Sequence, residues 1–337
     1  MQTKISKIST KVTMMLIMAL FLSVSAWGQM SRSSAARNLI WEKKLYRKIE
    51  FLTDTICHGR ATGTIGNIQT ATWISREFKN ARVMPIGDTY VKRFQASEGV
   101  FGGNVIGFIP CSIKTPKDKY VIVGAHYDHL GDLKGTTYPG ADSNASGTVA
   151  LLSLAEMFSV MKTLGKSYNS NIIFVAFDAR ELSMAGSNAM WQMIVNGELQ
   201  DPVSGKTITP KDIKLMVNID QIGSTLAPLN KGVNDYLIML GKHSLKPAER
   251  ELLSYCNRST GLHMDIDYTY YGSKNFTEVF YRLSDQRVFI DNKIPAVLFT
   301  SGITMNTNRT RDTAETLDYT VFKKRIYLIF EWLEKML

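Results

Sequence analysis

Five apolar runs too short to be ordinary helices constrain this chain more than any other feature. Residues 120–125, 172–177, 215–219, 236–240 and 296–299 carry almost no polar side chain in alternation with the apolar ones. A strand with one wet face alternates, so unbroken runs indicate strands covered on both faces. The covering elements are also legible. Trp41, Leu45, Ile49 and Leu52 recur at helical spacing, as do Ile68, Ala71, Ile74 and Phe78, and later Phe322, Ile326, Ile329, Phe330 and Leu333. Strands alternating with helices predict an α/β fold: a three-layer sandwich whose central sheet is mixed or largely parallel, with helices on both faces. The 337 residues, 45% of them hydrophobic, suffice for one large core. With no internal repeat, residues 29–337 are expected to form a single domain. The stretch 201–212 (DPVSGKTITPKD) reads as an insertion between two elements of one sheet.

The first 28 residues read as an export signal. Lys4, Lys7 and Lys11 precede an apolar run from Val12 to Leu22, and the small residues Ala26 and Gly28 follow. That run falls short of the roughly 20 residues that cross a bilayer. The expectation is therefore cleavage after Gly28, no membrane span thereafter, and a periplasmic or secreted product. Cleavage would reduce the formal charge from +10 to about +7. No Lys/Arg block or interleaving of basic and aromatic residues accompanies that charge, which argues against a nucleic-acid partner. Three cysteines, Cys57, Cys111 and Cys256, allow at most one disulfide and exclude a disulfide-built scaffold.

In open α/β sheets, ligands gather beyond the carboxyl ends of the strands. The first three runs lead there into His126, Asp128 and His129; into Asp178, Arg180 and Glu181; and into Asp220. Between the first two lies a loop with Gly131, Gly135 and Gly140 that ends in Asp142-Ser143-Asn144, just before a helix near Ser146. A loop of that length inside a compact domain is usually functional. His126, Asp142, Glu181 and Asp220 are the expected convergent set, an imidazole-carboxylate mixture suited to zinc and similar divalent ions. Singly, each has an ordinary structural alternative: core histidine, helix-cap aspartate, turn former. Brought together, the carboxylates would repel one another and lose hydration, so something positive must accompany them.

The segments AHYDHLG, GADSNASGTVALLSLA, FVAFDARELSMAGS, NIDQIG and IPAVLFTSG resemble the M28 metallopeptidases, two-zinc aminopeptidases and their relatives. The resemblance begins near His58 and runs to the last helix. It implies that His126 and Asp220 serve one metal, that Asp142 bridges two, that Glu181 serves the second, and that Asp128 orients the histidine. Three departures accompany it. The family's general base, a glutamate before the Glu181 position, is here Arg180, which has no acceptor atom. The family's SDH motif reads Ser284-Asp285-Gln286. The last histidine ligand, a few residues before Asp312-Thr313, aligns with Asn308, and no histidine follows His263.

These departures predict zinc at one ion or none. Arg180 is expected to stand in for the second cation, its fork holding Glu181 with Asp142 as a second partner. No residue is assigned a catalytic role. Two functional classes stay open: a non-catalytic binder of a peptide or small molecule in the cleft, and a one-zinc hydrolase using another base such as Asp178 or His129. Tyr268, Tyr270 and Tyr271 in the stretch 268–278 either line a pocket or pack. Gln286 is grouped with Tyr270 and Tyr271 as a candidate substrate contact. Asp285 and Arg287 form either a cleft-lining pair or a surface ion pair.

Overall fold

The computed structural model describes residues 32–111 and 119–337. The expected export signal lies outside them. Eleven strands are present among these residues: β1 (Met84–Pro85), β2 (Val91–Ser97), β3 (Val100–Ile109), β4 (Tyr120–His126), β5 (Gly131–Leu133), β6 (Thr136–Tyr138), β7 (Asn171–Phe177), β8 (Ile213–Ile219), β9 (Tyr236–Leu240), β10 (Asp265–Asp267) and β11 (Ala296–Thr300). Nine of them form one sheet in the order β1-β3-β7-β4-β8-β11-β9-β10, with β2 beside β3. The middle four strands, β7, β4, β8 and β11, run parallel. The flanks are joined through antiparallel pairs, β3 to β7 on one side and β9 to β11 on the other. The sheet is therefore mixed, as expected, with four parallel strands at its centre and a further parallel pair, β9 with β10, at one edge.

The eight helices used below are α1 (Glu42–Thr53), α2 (Ile65–Asn80), α3 (Gly147–Thr163), α4 (Ala185–Val195), α5 (Leu252–Ser259), α6 (Lys274–Tyr281), α7 (Arg287–Asp291) and α8 (Tyr319–Met336). They cover both faces of the sheet. Val121, Val123 and Ala125 of β4 point toward Leu45, Ile49, Ile74, Phe78, Phe322 and Ile329. Tyr120 and Ile122 of the same strand point the other way, toward Met190, Trp191, Ile194 and Phe289. Each buried aliphatic side chain contributes about 1.5–3 kcal/mol, so a sheet wet on neither face needs unbroken apolar runs. Two members of the predicted helical stripes are not in the core. Trp41 is 52% exposed because it caps α1 from outside, and Ile68 is 56% exposed beside the buried Ala71 and Ile74.

The hairpin β2–β3 was not legible in the sequence. Its longer strand contains Gly102, Gly103 and Gly107, which interrupt the run of β-branched and aromatic side chains that advertises a strand. Those glycines permit close packing: a Cβ at Gly107 would lie 2.7 Å from the Val83 side chain. Residues 201–212 do form a connection between α4 and β8, closed by a bridge from Gln200 to Thr207 and a helical turn at Pro210–Asp212. Among the described residues no helix is long and apolar enough to cross a membrane.

Candidate metal and ligand site

Strands β7, β4 and β8 are neighbours and parallel, so their carboxyl ends bring Arg180 and Glu181, His126, and Asp220 side by side. The fourth contributor, Asp142, sits in a helical turn at Ala141–Ser146 that leads into α3. Arg60 fixes the loop before it. Its fully buried guanidinium donates to the carbonyls of Leu52 (2.6 Å), Tyr127 (2.8 Å), Pro139 (2.7 Å) and Gly140 (2.9 Å). Asp312 holds the next two residues, accepting from the backbone N–H of Asp142 at 2.9 Å and of Ser143 at 3.1 Å. Asn144 ties the turn to β8 through the Ile219 carbonyl at 2.9 Å and the Gln221 N–H at 2.8 Å. Arg60 gave no sequence signal, because arginine is mostly a surface residue, and Asn144 was legible as part of the loop but not as its tie to β8.

On one side of the site, His126 Nε2 lies 3.6 Å from Asp220 Oδ1. The other ring nitrogen, Nδ1, donates to the Asp128 backbone carbonyl at 3.1 Å, with the carboxylate 3.5 Å away. The Asp128 carboxylate is engaged elsewhere, accepting the backbone N–H groups of Arg180 and Glu181, each at 3.0 Å. It therefore positions that turn as much as the histidine. Burial would lower the His126 ring, but Asp128 and Asp220 outweigh it and push it up to about 10. Asp220 is held well below the usual carboxylate range: burial would raise it, and His126, Arg180 and Ser284 overcome that. Ser284 Oγ donates to Asp220 Oδ2 at 2.6 Å.

On the other side stands Arg180. Its Nη1 contacts Glu181 Oε1 at 3.0 Å, and its Nη2 lies 3.9 Å from Asp220 Oδ2 and 3.4 Å from the Leu283 carbonyl. Burial would weaken its proton hold, but Asp220 and Glu181 strengthen it more, so the guanidinium stays charged. Asp142 is not among its partners. One oxygen of Asp142 accepts from Gly223 N–H (2.7 Å), Ser224 N–H (3.2 Å) and Ser146 Oγ (3.1 Å). Burial, then Asp312, push its carboxyl upward. The expected Arg180–Asp142 contact is thus corrected to Arg180–Asp220: Asp142 is drawn toward the backbone N–H groups after β8, while Asp220 stands beside the guanidinium.

Among the described residues no group of three or more His, Cys, Asp or Glu stands together as a ready metal cage. The donor atoms nevertheless differ between the two sides. His126 Nε2 and Asp142 Oδ2 are buried without any hydrogen-bond partner, which is the condition of atoms that await an ion. Two ligands about 2 Å from a tetrahedral ion lie about 3.3 Å apart, close to the His126–Asp220 separation. The His126–Asp220 pair therefore has the separation of two ligands of one ion, while the Asp142 carboxylate is held by Gly223, Ser224 and Ser146. On the other side Arg180 faces Glu181 at 3.0 Å, and Asn308 lines the cleft with an amide.

A narrow cleft of about 100 Å³ opens beside these residues, lined at its polar end by Ser143, Arg180, Asp220 and Asn308 and at its apolar end by Tyr270, Phe280, Leu283 and Ile303. Tyr270 takes part in its wall, stacked on Phe280 at 3.7 Å. Tyr271 does not line the cleft; its hydroxyl donates to the Ala227 carbonyl at 2.7 Å. Gln286 is fully buried, accepting from Asn218 at 2.8 Å and donating to the Tyr281 carbonyl at 2.6 Å, so it faces the interior. Asp285 is fully buried with both oxygens unpartnered, whereas Arg287 is exposed and pairs with Asp291 at 3.6 Å. They form neither of the two expected pairs. The two candidate replacement bases are also away from the cleft lining. Asp178 is buried and accepts from Thr62, Asn67 and the Gly103 N–H, each at 2.9 Å, and His129 is buried against Gly140.

Comparison with known proteins agrees with this fold. Leucine aminopeptidase 1 of Ajellomyces dermatitidis is 26% identical over 184 residues, which are 53% of this chain and 43% of that protein. The chain thus matches about half the length of such curated relatives. Among solved structures, the LapA aminopeptidase of Legionella pneumophila superposes with a TM-score of 0.67 at 18% identity, over 91% of this chain and 75% of that one. A zinc aminopeptidase from Bacillus subtilis superposes with a TM-score of 0.63 at 14% identity, over 88% and 94%. At such identities these two establish the fold alone. The model of peptidase family M28 matches residues 104–333, from β3 through the site to α8, and the chain belongs to that family.

Proposed function

We propose that this M28 member has lost, or retains only weakly, aminopeptidase turnover, and that its cleft binds a peptide or small molecule with at most one zinc ion. The observation that carries the reading is the Arg180 guanidinium, 3.0 Å from Glu181 and 3.9 Å from Asp220. Peptide hydrolysis needs an acceptor for the proton of the attacking water, and a guanidinium has none. Loss of that acceptor alone typically costs about 10² to 10⁴ in rate. His126, Asp220 and Asp142 would hold the single ion, Arg180 would neutralise Glu181, and Tyr270, Phe280 and Leu283 would receive an apolar group. Zinc at that position supplies Lewis acidity toward a carbonyl oxygen.

The alternative, a one-zinc hydrolase, is favoured by the unpartnered His126 Nε2 and Asp142 Oδ2. One experiment separates the two. The purified full chain is analysed for bound zinc and for amino-acid release from short peptides. Zinc at or below one equivalent without release supports the binder. One equivalent with steady release supports the hydrolase, and two equivalents with rapid release overturn both.

A further inference from the structure

Helix α6 is built the wrong way round for a surface helix. Only Tyr281 of its eight residues is buried, while Phe276 is 60% and Val279 53% exposed. Half-exposed Leu283, two residues past the end of the helix, extends this apolar surface toward the cleft that it lines. The face continues into the cleft. Phe276 and Phe280 rings are 6.4 Å apart, Phe280 stacks on Tyr270, and the Tyr270 hydroxyl accepts the Ile303 N–H at 2.9 Å. Ile303 and Met305, on the loop after β11, are 51% and 72% exposed. Amphipathic surface helices normally turn such a stripe inward, and a contiguous exposed apolar patch marks a binding surface.

The charges around the stripe select its partner. Lys274, Arg309 and Arg311 are exposed beside it, and Arg311 Nη2 reaches the Met305 carbonyl at 2.7 Å. Against them stands Glu278 as the one acid within α6, while Arg282 is held by Asp291 at 2.8 Å. The rim is basic, so the complementary partner is acidic. A cleft of about 100 Å³ takes only one residue's worth of ligand, leaving the stripe uncovered unless the ligand is longer. Eight helical residues span about 12 Å, the length of about two turns of a bound helix.

We propose that α6 and the loop after β11 form a docking surface for an acidic, amphipathic peptide segment whose end enters the cleft. The proposal deepens the reading of the cleft as a peptide site and rests on it for the choice of partner. The test titrates the full chain with a twelve-residue Leu/Glu peptide carrying leucine at helical spacing, a Leu/Lys counterpart, an apolar tripeptide and phosphatidylglycerol vesicles. The double variants Phe276→Ser/Val279→Ser and Arg309→Glu/Arg311→Glu are compared with wild type, with unfolding midpoints as the control for folding. The Leu/Glu peptide should bind wild type and weaken at least about tenfold in each double variant, while the Leu/Lys peptide binds at least about tenfold less well than Leu/Glu. The tripeptide should bind all three proteins alike. If it binds none while the long peptide still depends on the stripe, the cleft reading falls and the docking surface stands. Equal binding of the two long peptides overturns the proposal, as does indifference to both double variants. Vesicle binding abolished by Phe276→Ser/Val279→Ser would assign the stripe to a membrane instead, and a dimer in sedimentation that the same variant dissociates would assign it to a second copy.

Discussion

The His126–Asp220 side of the cleft and the Arg180–Asn308 side differ in what their buried atoms lack. On the first side, His126 Nε2 has no partner and faces a carboxylate 3.6 Å away. On the second, the carboxylate of Glu181 is already matched by a guanidinium at 3.0 Å. Both sides rest on the same three parallel strand ends, so the backbone does not account for the contrast. One scaffold therefore supports two electrostatic arrangements: a buried imidazole facing a carboxylate without a hydrogen bond, and a guanidinium paired directly with one. A covalently attached cation costs no binding equilibrium, but it supplies neither an open coordination position nor a proton acceptor.

Several substitutions would break or sharpen this contrast. The largest effect is expected from Arg180→Glu combined with Asn308→His, which returns a proton acceptor and an imidazole to the second side. Release of amino acids from short peptides should rise about 10²-fold or more over wild type. No rise, with zinc bound and the fold intact, would mean that the cleft has changed beyond these two positions. Arg180→Met removes the internal cation and keeps most of the volume. Glu181 is then left uncompensated while Asp220 keeps only His126 and Ser284, and denaturant unfolding near neutral pH should show a loss of about 3 kcal/mol, partly recovered by added zinc. An unchanged midpoint would show that the ion pair contributes nothing.

Asp285 tests the interior beneath the site. Burial pushes its carboxyl up to about 6 from the ordinary 3.8. Because the folded-state value is raised, its stabilising contribution is complete below pH 3.8 and is lost as pH climbs through 6. Asp285→Asn, which cannot ionise, should therefore match wild type near pH 4 and exceed it above pH 6 by on the order of 2 kcal/mol. Equal stability of the two proteins across that range would contradict the assignment. The smallest effect is expected for Gln286→His. Gln286 faces Asn218 and the Tyr281 carbonyl rather than the cleft, so the tripeptide's affinity should stay within twofold while stability falls by about 1 kcal/mol. A large change in ligand affinity would place that residue in the site after all.

Residues ending apolar runs were readable because a buried parallel sheet demands unbroken hydrophobicity, and the polar residue that breaks the run stands at the strand's carboxyl end. His126, Asp220 and the Arg180-Glu181 pair were all found that way. Gln286 and Tyr271 were misplaced as substrate contacts because a residue type says nothing about the direction of its side chain in an irregular segment. The hairpin β2–β3 was missed because glycines that allow close packing also erase the strand pattern. Asp142 shows the finer limit: its place near the site was legible, but its choice of Gly223, Ser224 and Ser146 as partners was not.

By itself the sequence determined the α/β class, the strands of the sheet's centre, and the absence of a proton acceptor at position 180, since each depends on residue type and order along the chain. Tertiary structure alone decided that Arg180 reaches Asp220 rather than Asp142, that Arg60 clamps the loop, and that α6 turns its apolar face outward. Those are matters of distance and direction between segments remote in sequence, and no local pattern encodes them.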